Sequence, residues 1–198
     1  MATEKNNVEL DQYLSAGVHI GTKVRTKSMA PFIYKVNPAG LAIMDVQKID
    51  ERIKLAAKFL STYDPKDILV VGRRENSWKA VKTFAKLIGC KSFTARYPAG
   101  VLTNPELETF IEPKVILITD PWPDKNAIND AVKIGIPIVA LCDSNNTTRS
   151  IDIIAPCNNK GAKSLGLIYW ILANEFLHAK GDLPKTKNIK LTPEDFIE

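Results

Sequence analysis

Apolar residues fall into two alternating regimes along this chain: short unbroken runs, and longer segments where they recur every three or four positions. The unbroken runs are Ile68–Val71, Val115–Thr119, Pro137–Cys142 and Ile151–Ala155, with Ser92–Ala95 a weaker one. Helical spacing predicts a helix over Gln47–Tyr63, carried by Ile49, Ile53, Ala56, Ala57 and Leu60. A second, capped by Asn76 or Ser77, carries Trp78, Val81, Phe84, Ala85 and Ile88 and stops at Gly89. A third covers Asn126–Ile134, and a last one follows the Asn158-Asn159 pair, read as its N-cap, and carries LGLIYWILANEF. Near the amino end, Asn7 is placed to cap a helix with Val8, Leu10, Tyr13 and Leu14 that ends at Gly17. PFIYKV and LAIMDV then read as two strands of a β-hairpin, joined by the turn sequence Asn37-Pro38-Ala39-Gly40.

Strands written as continuous Val/Ile/Leu runs are covered on both faces, and their alternation with helices predicts a parallel sheet. The expected fold is therefore α/β, a three-layer α/β/α sandwich with a mainly parallel sheet, right-handed crossovers and a β-hairpin near the amino end. No repeat and no interior linker interrupts residues 1–181, which are read as a single domain. Residues 182–198, DLPKTKNIKLTPEDFIE, carry little periodic apolar content and are expected to form a loosely held tail.

Composition narrows the class without naming a function. The 198 residues are 45% hydrophobic and 25% charged, the proportions of a soluble globular protein. A net charge of +5 suggests a polyanionic partner. Cys90, Cys142 and Cys157 are scattered, with no CxxC pair, which argues against both a disulfide framework and a zinc site and for reduced, partly buried thiols of an intracellular protein. The polar, acidic start MATEKNNVELDQ is unlike a secretory signal, and no apolar run approaches the roughly 18 residues of a membrane span.

Positive charge is concentrated where the predicted fold could use it. From Gln12 to Met44 there is no acidic residue, while Lys23, Arg25, Lys27 and Lys35 fall in that window beside Ser, Thr and Gly. Such a loop can follow phosphates, or it can simply be solvated. Arg73, Arg74 and Arg96 follow strand ends, where ligands of open parallel sheets sit. Lys160 and Lys163 bring cations to a helix start, against the helix dipole, an arrangement that makes sense if an outside anion sits there.

Enzyme chemistry finds less support. GxGxxG after a strand, GxxxxGK[ST] and GxSxG are all missing, and His19 and His178 have no nucleophile beside them. Asp120 and Asp143 close two strands and could bind Mg²⁺ as a pair, but Pro121, Pro123 and Asn145-Asn146 beside them favour capping and turn formation.

Seven segments, in order, carry a resemblance: AGVHIGTK (16–23), FIYKVNPAGLAIMD (32–45), ILVVGRRENSWKAV (68–81), RYPAGVLTN (96–104), LITDPWPDKNAINDA (117–131), GIPIVALCDSNN (135–146) and IDIIAPCNNKGAKS (151–164). Together they resemble the universal family of small-subunit ribosomal protein two over nearly the whole chain. Only ten residues separate Asn104 from Val115, so the helical-hairpin insertion of bacterial members is absent, and PCNNKGAKS has the archaeal or eukaryotic form. With no extended carboxyl tail, the chain resembles the archaeal type. The resemblance implies a flavodoxin-like fold without a nucleotide cofactor, no catalytic residues, no metal and no small-molecule substrate. It further implies a cytoplasmic, ribosome-associated protein at the head–body junction of the small subunit, supporting assembly and translation. Its expected partners are ribosomal RNA and neighbouring ribosomal proteins, with Lys23, Arg25, Lys27, Lys35, Arg73, Arg74, Arg96, Lys160 and Lys163 as the candidate RNA contacts.

Overall fold

The computed structural model describes residues 10–184 and 187–197. Asn7 and Val8, read as cap and first apolar position of the amino-terminal helix, lie outside the described residues. Within them that helix, α1, runs over Leu10–Ser15 and buries only Tyr13, whose hydroxyl donates to Asp50 Oδ1 at 2.9 Å. Strands β1 (Ile33–Val36) and β2 (Ala42–Met44) form the expected antiparallel hairpin. Asn37 Oδ1 accepts from Leu41 N at 2.8 Å across the turn, and Gly40 supplies the positive φ. Asp45 caps α2 (Val46–Leu60) by accepting from Gln47 N.

The alternating half of the chain then follows as β3 (Ile68–Gly72), α3 (Glu75–Ile88), β4 (Lys91–Thr94), β5 (Val115–Ile118), α4 (Lys125–Ile134), β6 (Ile138–Cys142), β7 (Ile153–Pro156) and α5 (Ala162–Lys180). The five strands make one fully parallel sheet in the order β4-β3-β5-β6-β7. This is the doubly wound order in which the chain first steps outward and then returns past its first strand.

Side chains alternate between the two faces, as the strand period requires. Val70, Leu117, Val139 and Leu141 point into one core with α2, α3 and α5. Leu69, Val71, Ile116, Ile118, Ile138 and Ala140 point into the other, closed by α4 and by loop residues Met29, Phe32, Tyr97, Val101 and Leu102. Cys142 and Cys157 are buried thiols and Cys90 is half-buried, its pKa pushed up to about 12 by desolvation.

Three sequence expectations differ from what is found. Asn76 and Ser77 lie inside α3, whose N-cap position is Arg74. Asn158 and Asn159 do not cap α5, which starts one turn later, after Gly161. Asn158 instead accepts from the amides of Lys160 and Gly161, making the turn that precedes the helix. In the tail, residues 187–197 pack along α5 instead of standing clear of it. Trp170 Nε1 donates to Leu191 O at 2.7 Å, Asn174 Oδ1 accepts from Ile189 N at 2.8 Å, and Phe196 joins the core. The physical reason lies in α5, which is buried on every side from Ser164 to Asn174. An all-round apolar helix needs a cover on its outer surface, and a few apolar residues without periodicity are enough to provide one.

Candidate nucleic-acid interface

A parallel sheet gathers all its strand carboxyl ends on one edge, so residues far apart in sequence meet there. From β4 to β7 the residues that follow the strands are Arg96, Arg73-Arg74, Asp120, Asp143 and Asn158-Asn159-Lys160. The strand order reverses between β3 and β5, which is where open α/β sheets form a ligand crevice. Here the chain's own side chains close it. Arg74 donates from Nε to Asp120 Oδ2 at 2.6 Å, with the carboxylate fully buried. Below them Thr119 Oγ1 lies 2.6 Å from Tyr169 Oη and donates to Val71 O. Gly72 leaves no spare room either, since a Cβ there would meet Ser77 Oγ, Thr119 Oγ1 and Val81 Cγ2 within 2.9 Å.

Buried amides extend this closure across the sheet. Asn146 donates from Nδ2 to Asp120 Oδ1 at 3.0 Å, and its own Oδ1 accepts from Asp143 N and Asn159 Nδ2. Asn159 also donates to Leu141 O at 2.9 Å. Asp143 takes Lys160 Nζ at 2.7 Å, and the same ammonium reaches Asn145 Oδ1 at 2.9 Å. Each of the two carboxylates that could have shared a metal is thus neutralised by a cation of its own chain.

The same edge holds Asp124, which is buried before α4. Its Oδ2 accepts from Arg73 N at 3.3 Å, while Oδ1 has no partner among the described residues. Desolvation, reinforced by the nearby charge of Asp120, outweighs the Arg73 amide and pushes its pKa up to about 7.

The amino-terminal basic loop is stitched onto this edge. Thr22 N donates to Ser144 Oγ at 2.9 Å and Thr26 N to Ser144 O at 3.0 Å, while Thr26 Oγ1 donates to Asn146 O. Farther back, Asn158 N donates to Val18 O at 2.8 Å. Gly21 is packed against Asp143 and Ser144 so closely that a Cβ would lie 2.9 Å from Ser144 Oγ. The backbone is fixed while Lys23, Arg25 and Lys27 stay exposed.

The fold brings eight of the nine candidate cations to one edge: Lys23, Arg25 and Lys27 from the loop, Arg73, Arg74 and Arg96 from strand ends, Lys160 and Lys163 from the α5 start. Lys35 stands apart on the exposed strand β1, its ammonium over the Tyr34 ring. Their situations differ. Arg74 and Lys160 are half-buried and committed to Asp120 and Asp143. Arg73 is exposed and donates from Nη1 to Pro123 O, and Lys23, Arg25, Lys27, Arg96 and Lys163 face solvent. Their ends carry unopposed positive charge on a rigid frame, an arrangement that can hold phosphates. Sequence reading did not single out Asn146 and Asn159 as the buried hinge of this edge, nor Trp122, Lys125 and Arg149 as neighbours. The signal was present in the doubled asparagines after β6 and β7, whose partners only the sheet order reveals.

Comparison with known proteins gives a consistent result. The family model described as Ribosomal protein S2 matches residues 13–110 and 107–179. The chain is 52% identical over 189 residues to the small ribosomal subunit protein uS2 of Nanoarchaeum equitans, covering 96% of this chain and 94% of that one. It is 50% identical over 189 residues to the protein of that name from Staphylothermus marinus, covering 96% and 86%. To that of Picrophilus torridus it is 42% identical over 196 residues, covering 99% and 98%.

Proposed function

The chain belongs to the ribosomal protein S2 family, in its archaeal form, and from that premise we propose that it is a structural constituent of the small ribosomal subunit. The family's role is structural, not enzymatic. Identity of 52% along almost the full length of a protein named for that subunit is the observation that carries the reading. Within the subunit the chain binds ribosomal RNA through the exposed cations of its carboxyl edge. Lys23, Arg25, Lys27, Arg73, Arg96 and Lys163 serve as phosphate contacts, and Lys35 extends the surface onto the hairpin. Arg74 and Lys160 serve the same surface from beneath, by neutralising Asp120 and Asp143 and so removing negative charge from the rim.

The position proposed is the head–body junction, among neighbouring ribosomal proteins, in a cytoplasmic and ribosome-associated protein. Two features support binding over catalysis. The crevice of the doubly wound sheet is filled by Arg74 and Asp120, and the exposed cations share an edge where Asp120 and Asp143 are internally paired. The test is sedimentation of lysate with and without ribonuclease, probing for this chain. Co-migration with the small subunit, abolished by ribonuclease, is the expected result. Migration apart from the subunit would reject the reading, and ribonuclease-insensitive assembly would leave a purely protein-bound adaptor.

A further inference from the structure

Beside the edge, a groove of about 980 Å³ opens along α4, between that helix, the loop after β5, the loop after β6 and the amino-terminal loop. Trp122, Val24, Ile128 and Val132 are its apolar surface, Lys125, Lys133 and Arg149 its cations, and no carboxylate among the described residues lines it. Trp122 is 72% exposed, although an indole usually buries most of its area. Its base is held, because Trp122 N donates to Asp120 Oδ1 at 3.1 Å and Pro121 before it is buried. The ring therefore stands free on a fixed stem. Lys125 and Arg149 have no ion-pair partner among the described residues, and Lys133, paired with Asp130 at 3.3 Å, keeps 67% of its side chain exposed.

We infer that this groove takes one unpaired nucleotide of RNA, its base stacked on Trp122 and its flanking phosphates held by Lys125, Lys133 and Arg149. The inference rests on the RNA-binding reading above and adds to it the kind of RNA and the place. Three cations, of which only Lys133 has an acidic partner among the described residues, select a polyanion. Val24 and Val132 are more than half exposed, so the apolar surface is an open platform that suits a flat ring better than a peptide's anchoring side chain. A free aromatic face beside cations is how single strands are held, because stacking tolerates any base while the charges follow the backbone. Duplex RNA offers no base face to stack and would gain only the charges.

The full chain is titrated with an unstructured oligoadenylate, with an RNA duplex and with a polyglutamate peptide. Trp122→Ala is expected to weaken oligoadenylate binding about tenfold and to leave duplex affinity within about twofold. Trp122→Phe, which keeps a stacking face, restores most of the loss. Lys125→Ala and Arg149→Ala each lower the salt slope for the oligonucleotide by about 0.7. Unchanged oligoadenylate affinity in Trp122→Ala, with duplex binding still dependent on the edge cations, overturns this inference and spares the broader one. If the parent chain binds neither RNA, both fall. If Trp122→Ala loses only the peptide, the groove is a protein-docking site and the nucleotide is excluded.

Discussion

Arg74 Nε lies 2.6 Å from Asp120 Oδ2, and this one contact turns the ligand crevice of a doubly wound sheet into a closed seam. Asp120 is fully buried and satisfied by Arg74, Asn146 and Trp122, so its charge never reaches the surface. Arg73, the neighbour of Arg74 in sequence, is exposed and donates from Nη1 to Pro123 O. Adjacent arginines therefore have separate tasks.

Arg74→Ala leaves a buried carboxylate without its cation and is expected to cost about 2–3 kcal/mol, less than for a fully buried pair because water reaches the arginine. Arg73→Ala is expected to cost less than about 0.5 kcal/mol while lowering the salt slope of RNA binding. Urea unfolding of both variants, beside RNA titrations, separates them. Equal stabilities would mean that the seam is not held by Arg74.

Asp124 makes stability depend on pH near neutrality. Its folded pKa, pushed up to about 7, lies above the unfolded value near 4, so the folded state binds the extra proton. Its contribution is fully present below about pH 4 and is lost as pH rises through 7. Asp124→Asn keeps an acceptor for Arg73 N and removes the titration. It is expected to be more stable than the parent by about 2 kcal/mol at pH 8, with the difference shrinking toward pH 5. Chemical denaturation at the two pH values measures this, and a constant difference would contradict it.

Gly166 is where α5 meets the tail. A Cβ there would lie 2.5 Å from Ile197 Cγ1 and 3.1 Å from Pro193 O. Gly166→Ala should strengthen the helix itself by up to about 1 kcal/mol. It should also push the tail off, seen as faster amide exchange around Leu191–Ile197 while the sheet stays protected. Unchanged exchange at those residues would show that the tail does not depend on this approach.

The strands were legible because β3, β5 and β6 are covered on both faces and therefore read as unbroken apolar runs. The helix ends were less so. Asn158 and Asn159 look like caps, but Asn158 is tied to Val18 O and Asn159 to Leu141 O, and no local pattern announces such distant partners. The same limit explains the candidate site. Exposed cations such as Lys23 and Arg25 stood out because the segment around them lacks acids. Arg74 and Lys160 looked identical to them, since their carboxylates lie 46 and 17 residues away. The cover over α5 could have been read from its sequence, because LGLIYWILA has no polar face and some other segment had to shield it.

The exposed cations on the carboxyl edge are proposed to hold ribosomal RNA, and the amino-terminal loop offers the sharpest check because its backbone is fixed independently of its charges. The measurement is the affinity of the full chain for small-subunit ribosomal RNA over a range of salt, for the parent and for Lys23, Arg25 and Lys27 all changed to alanine. Each phosphate contact removed lowers the slope of log affinity against log salt by about 0.7–0.9. The expected result is a slope smaller by about two, weaker binding at low salt and an unchanged unfolding midpoint. The same affinity and slope in both proteins would contradict it.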